Sequence, residues 1–198
     1  MILESIVTTL NDDGTPNISP MGPTVPEDSF GTNEFKSFTL RPFHSSRTFA
    51  NLKRHGSGVL HVTDDVEIFA KAAIGRLEPV PELTPATSVE GFAIVDACRW
   101  YEFEVEFIDE TGPRMHLNCR VVKAQRNRDF WGFNRAKHAV IEAAILATRV
   151  DFLPAEEISQ QFLHLQSAIE KTSGPRELAA FQLLCDFVGH PLGAPKNA

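Results

Sequence analysis

The chain has 198 residues, 42% of them hydrophobic and 23% charged, which is the make-up of a globular protein and excludes collagen-like, disordered and disulfide-miniprotein classes. Nineteen Lys and Arg stand against 26 Asp and Glu, a net charge of −7 without any basic cluster long enough to neutralise a run of phosphates, so extended nucleic-acid binding is not expected. The three cysteines, Cys98, Cys119 and Cys185, match no zinc spacing and read as reduced core thiols, which suits a cytoplasmic setting.

Met1 to Leu10 carries Glu4 where an export signal keeps an apolar run, and the most apolar stretch, Ala136 to Val150, is too short and too charged to span a bilayer. Neither export nor a membrane partner is expected. The β signals come first. Ile2 to Leu10 is rich in Ile, Val and Thr, and Asn11-Asp12-Asp13-Gly14 supplies turn chemistry that returns Thr15 to Pro23 antiparallel beside it. Pro16, Pro20 and Pro23 lack backbone donors, so the return strand belongs at an edge.

Residues 24–34 read as a loop and Phe35 to Leu40 as a half-buried strand. A short helix follows, capped by Ser45 or Ser46, with Phe49 and Leu52 on one face and Gly56 at its end. Val59 to Thr63 is a strand, Ile68 to Ile74 fits strand or helix, and the prolines of residues 78–89 mark an excursion. Trp100 to Ile108 and Met115 to Ala124 form a second hairpin. That many short strands point to a nearly closed antiparallel barrel. Beyond it, Ala136 to Val150 reads as a buried helix, with Glu142 needing Arg135 or Arg149 as partner. Glu156–Lys171 and Glu177–Val188 place Ile158, Phe162, Leu165 and Ile169, and then Leu178, Phe181 and Leu184 or Cys185, on inward stripes of a helical hairpin that caps the barrel or a partner subunit. The division expected is a barrel over residues 1–127 and a helical region over 128–198.

The helix start at Arg41 to Asn51, RPFHSSRTFAN, carries the chemistry. Helix N-termini favour Asp and Glu, yet this one offers Arg41, Arg47, Ser45, Ser46 and Thr48. An outside anion, most simply a terminal phosphate, completes it; a plain hydroxyl cap beside solvated arginines also fits. In Asn17 to Gly22, Pro20 and Gly22 disturb the strand, leaving backbone groups at Ser19, Met21 and Gly22 to meet a polar ring edge such as a flavin's, or to form an edge bulge. The histidines are scattered without metal-ligand spacing, so no metal is expected. No Gly-x-Ser-x-Gly elbow surrounds Ser45 or Ser46.

Ser46-x-Thr48-x-x-Asn51-Leu52, followed by Gly58 to Val62, resembles the corresponding helix and strand of flavin-reductase-like FMN-binding split barrels. More closely, IVTTLNDDGTPNISPMG, RPF, TFANL, VTDD and FNRAKHAVIEAAILATR are similar to an uncharacterised family of FMN-binding split-barrel proteins, a domain of unknown function familiar from methanogenic archaea. The resemblance covers almost the whole chain. It implies a mainly β fold with α, a six-stranded antiparallel split β-barrel plus C-terminal helices, forming a homodimer with FMN at the subunit interface. Ser45, Ser46, Thr48 and Asn51 of the motif would hold the cofactor, with Ser46 and Thr48 on the phosphate and Arg41 as counter-charge. Ser19, Met21 and Gly22 would lie along the isoalloxazine, and Asn134 and Arg135 would reach the cofactor or the neighbouring chain. His61 stands where flavin reductases often have Asn. The implied activity is FMN-dependent oxidoreduction of a small molecule, with a non-catalytic flavin-binding or sensing dimer as the alternative.

Overall fold

Six strands build an antiparallel sheet in the order β2-β1-β4-β7-β8-β3: β1 (Ser5–Leu10), β2 (Pro16–Met21), β3 (Ser37–Leu40), β4 (Ser57–Val62), β7 (Arg99–Asp109) and β8 (His116–Arg126). A small hairpin, β5 (Leu83–Pro85) with β6 (Phe92–Ile94), stands outside that sheet. The helices are α1 (Arg47–His55), α2 (Val66–Ala73), α3 (Arg135–Ala147), α4 (Ala155–Thr172) and α5 (Pro175–Val188). The computed structural model of the chain describes residues 1–27 and 35–189. The loop expected over 24–34 lies partly outside the described residues.

The chain divides into two units. The first comprises Met1–Thr63 and Pro81–Phe130; the second comprises Asp64–Val80 and Trp131–Ala198. In the first, the β1–β2 turn sets the register: Gly14 takes the left-handed φ of 78°, and the Asp13 carboxylate accepts from the Thr15 hydroxyl at 2.6 Å and N–H at 3.0 Å. Those bonds, the hydroxyl's first, hold the Asp13 carboxyl below the usual carboxylate range. Leu10 then faces Pro16 and Thr9 faces Asn17. β2 lies at the sheet edge, as its prolines require. Pro23 and Gly22 interrupt the ladder, after which Thr24 exchanges N–H···O bonds of 2.9 Å with Thr39 of β3. Among the described residues the two sheet edges therefore meet at a single bridge, Thr24 with Thr39, and the barrel is split.

Strand alternation sends Val7, Leu60, Tyr101, Phe103, Leu40, Leu117 and Cys119 to one core, into which α1 inserts Phe49 and Leu52. The opposite face of β1, β4 and β7 carries Thr8, Val59 and Glu102 in one row and Ile6, His61 and Trp100 in the next. The β5–β6 hairpin fastens to that face through buried polar groups. The Thr8 hydroxyl donates to the Phe92 carbonyl, and the Ile94 N–H donates to His61 Nε2 at 3.0 Å. Glu102, 1% exposed, accepts from the N–H groups of Thr87, Ser88 and Val89 and from the Thr87 hydroxyl.

The second unit has its own core, built from Val66 and Ala70 of α2, the alanines of α3, Ile158, Phe162 and Ile169 of α4, and Phe181, Leu184 and Cys185 of α5. Ile68 to Ile74, which fits strand or helix by sequence, falls in α2 and its C-cap; Asp65 caps the helix start and Lys71 pairs with Glu67 one turn away. Two expectations are corrected here. Glu142 lies on the exposed side of α3, with Arg135 and His138 on the same side, so solvent replaces the ion pair that burial would demand. Leu178 is 47% exposed; Ala180 and Phe181 supply the inward positions at the start of α5. Among the described residues no helix is long and apolar enough to cross a membrane.

Candidate functional site

The site is built where α1 begins beside β2, within the first unit. Ser46 is the N-cap: its backbone is extended and its Oγ accepts from the Phe49 N–H at 3.2 Å. No acidic residue occupies the first turn, whereas Lys53, Arg54 and His55 line the last turn and complement the dipole there. Gly56 closes the helix with φ of 66° and an N–H bonded to the Leu52 carbonyl at 2.9 Å. The N–H groups of Arg47 and Thr48 belong to the first turn, where no carbonyl precedes them in the helix. Arg41, Ser45 and Arg47 are exposed around this end and Ser46 is half-buried. Arg41 has no carboxylate partner among the described residues, and Arg47 acts only as a minor influence on Asp13.

Thr48 and Asn51 point the other way, each 2% exposed. Asn51 Nδ2 donates to Thr9 Oγ1 and Asn11 Oδ1, both at 3.0 Å. Asn17 Nδ2 donates to Thr9 Oγ1 at 3.2 Å and Thr48 Oγ1 at 3.3 Å. This network pins α1 to the first hairpin and brings the helix start against β2. Ser19 faces Val7 across the ladder, so Asn17, Ser19 and Met21 share the strand face turned to the core side. The Met21 carbonyl accepts from the Ser5 hydroxyl at 2.7 Å. Gly22 passes so close to the N-terminal segment that a Cβ there would stand 2.9 Å from Ile2 Cγ2.

Asn134 and Arg135 belong to the second unit. Asn134 caps α3 by accepting from the Lys137 N–H at 3.1 Å and donates to the Thr172 carbonyl at 3.0 Å, so its amide is engaged on both sides; Arg135 is exposed. His61, the departure noted in the sequence, is fully buried. Nδ1–H donates to the Ile6 carbonyl at 3.1 Å while Nε2 accepts from Ile94, which fixes the neutral tautomer. Burial pulls its pKa down to about 4, against the favourable backbone bond to Ile6. It joins three strands and presents nothing to a ligand.

Two features of this region escape sequence reading. Asn17 is one; its signal is the turn, which by fixing Thr9 opposite Asn17 places an amide beside the helix. The other is Arg114, whose guanidinium carbon lies 4.2 Å from the centre of the Phe43 ring. Burial also pushes the Cys119 and Cys185 thiols up to about 12, and all three cysteines are buried thiols.

Sequence comparison matches residues 3–128 to the N-terminal domain of a family described as a protein of unknown function, DUF447, and residues 134–186 to that family's second model. Among solved structures, the FMN-bound protein MM1853 from Methanosarcina mazei, of the same family, is 22% identical, with 94% of each chain covered and a TM-score of 0.79. The 2-nitrobenzoate 2-nitroreductase NbaA of Pseudomonas fluorescens is 19% identical over 62% of this chain and 63% of that one, TM-score 0.51. The NADH:FAD oxidoreductase SgcE6 of Streptomyces globisporus is 12% identical over 64% and 71%, also with a TM-score of 0.51. These likenesses extend the split-barrel fold to the present chain.

Proposed function

The chain belongs to the DUF447 family, and from that premise we propose that it binds FMN and acts as a flavin-dependent oxidoreductase on a small molecule, as a cytoplasmic homodimer with the cofactor between subunits. The observation that carries the reading is the meeting of an anion-seeking helix start with the edge strand β2, joined by the 3.3 Å contact of Asn17 with Thr48. A phosphate fits the first: unshared N–H groups, the hydroxyl of exposed Ser45, and Arg41 as counter-charge, with no acidic residue in the first turn of the helix. A flat ring fits the second, because an edge strand keeps backbone donors and acceptors free on one side. On this reading Ser46 holds the helix start in shape, and Thr48 and Asn51 hold the helix against the first hairpin. FMN when bound supplies hydride or electron transfer, so the protein's part is binding, orientation and tuning. FMN-bound MM1853, of the same family, supports this reading.

Calorimetric titration with FMN and with riboflavin tests it. Arg41→Ala should weaken FMN by about tenfold and riboflavin hardly at all, the difference expected for one charge-assisted phosphate contact. Equal losses for both flavins would remove the phosphate from this helix end. Visible bleaching of bound FMN by NADH or NADPH then separates an oxidoreductase from a flavin carrier, and release of FMN on dilution to monomers checks the shared pocket.

A further inference from the structure

The pairing of β3 with β8 does not stop at Leu40 and Leu117. Past the strand end the Pro42 carbonyl accepts from the Met115 N–H at 3.0 Å, and Phe43 bridges Arg114. Leu40, Met115 and Leu117 are buried in the core, so strand alternation turns Arg41 and Phe43, with Arg114 and His116 opposite them, to the other face. Phe43 is 56% exposed and carries the Arg114 guanidinium on its ring. The Phe43 carbonyl also accepts the N–H of Ser46, the cap of α1, at 3.0 Å. The register thus delivers a second guanidinium to the turn that opens the helix.

Charge makes this placement unusual. Elsewhere in the unit Lys53 pairs with Glu110, Arg54 with Asp12, Arg120 with Glu104 and Glu106, and Arg126 with Asp129. Arg41 and Arg114 have no carboxylate among the described residues, in a chain whose net charge is −7. A phosphate monoester carries a charge of roughly −1.5 to −2, at least as much as Arg41 and the half-charge of a helix end neutralise together, and Arg47 at the same end stands within electrostatic reach of the Asp13 carboxylate. We infer that Arg114, held on the face of Phe43, is the second cation of the phosphate subsite, and that Arg41 and Arg114 together select a phosphorylated flavin over the same flavin without its phosphate. This rests on the FMN reading above.

The full-length protein is titrated calorimetrically with FMN and, separately, with riboflavin. Arg114→Ala should weaken FMN by roughly ten- to a hundredfold and riboflavin by less than about twofold, with an unchanged melting temperature because the side chain is exposed. Arg114→Lys should recover part of the loss as a point charge without the planar fork. Phe43→Leu should cost a few-fold in FMN affinity alone and add nothing to Arg114→Ala. Unchanged FMN affinity in Arg114→Ala, an equal loss for both flavins, or additive effects of Phe43→Leu and Arg114→Ala would each overturn the assignment. A wild-type protein that binds FMN while Arg114→Ala is silent defeats this inference alone; a wild-type protein that binds no FMN defeats the FMN reading and this inference with it.

Discussion

Two polar regions of the first unit are built on opposite logic. Beneath the β5–β6 hairpin, Thr8, His61 and Glu102 are buried and every one of them is answered by groups of the chain itself. At the start of α1, Arg41, Ser45, Arg47 and Arg114 are exposed and no carboxylate neutralises Arg41 or Arg114 among the described residues. Buried polar groups must be satisfied internally or they cost stability, whereas exposed cations are satisfied by water and stay accessible to a ligand. The first region should therefore respond to mutation in stability and the second in ligand affinity.

The sharpest way to break that division is His61→Leu. It removes the acceptor of the Ile94 N–H and the donor to the Ile6 carbonyl in a fully buried place, so chemical denaturation should register a loss of about 3–5 kcal/mol. A loss under about 1 kcal/mol would mean that the hairpin does not depend on this anchor.

Next in size is the pH response of the same residue. Its folded pKa of about 4 lies below the ordinary 6.5, so between those values the unfolded chain takes up a proton that the folded one refuses. The contribution is fully present above pH about 6.5 and disappears as pH falls towards 4, by on the order of 3 kcal/mol. The hydrogen-bonded carboxyls of Asp13 and Asp109 are held below the usual carboxylate value and titrate beneath this window. In His61→Leu the slope across the window should flatten; an unaltered slope would assign it to other groups.

Asn51 lies on the border between the two regions, named by the cofactor motif yet 2% exposed and bonded to Thr9 and Asn11. Asn51→Ala should cost about 1–3 kcal/mol in unfolding free energy and weaken FMN and riboflavin alike, because it loosens the helix from the hairpin without touching phosphate. A loss confined to FMN would move Asn51 into the phosphate subsite.

How far the sequence carried this division depended on whether the signal was local. The edge strand followed from Pro16 and Pro20, the α1 boundaries from Ser46 and Gly56, and the unusual charge of the helix start from its own residues. What stayed hidden was non-local. Glu102 meets the N–H groups of Thr87 to Val89 only because β7 passes under the hairpin loop, and no period in residues 78–89 announces that. Arg114 meets Phe43 through a register continued past the strand end. His61 differs from a ligand-facing residue only by which side of β4 it occupies, and two neighbouring strands fix that side.

The smallest effect tests where a local reading misled. An alanine-rich helix suggests burial all round, and a carboxylate inside it suggests an ion pair, but α3 buries Ala136, Ala139, Val140, Ala143, Ala144 and Ala147 and leaves Arg135, His138 and Glu142 in water. An exposed carboxylate in mid-helix contributes at most a few tenths of a kcal/mol through its neighbours. Glu142→Ala should therefore change the unfolding free energy by less than about 0.5 kcal/mol, with alanine's better helix propensity offsetting any lost pairing. A loss above about 2 kcal/mol, measured on the full chain by denaturant unfolding, would mean that a second copy of the chain covers this face and buries the carboxylate that the single chain leaves open.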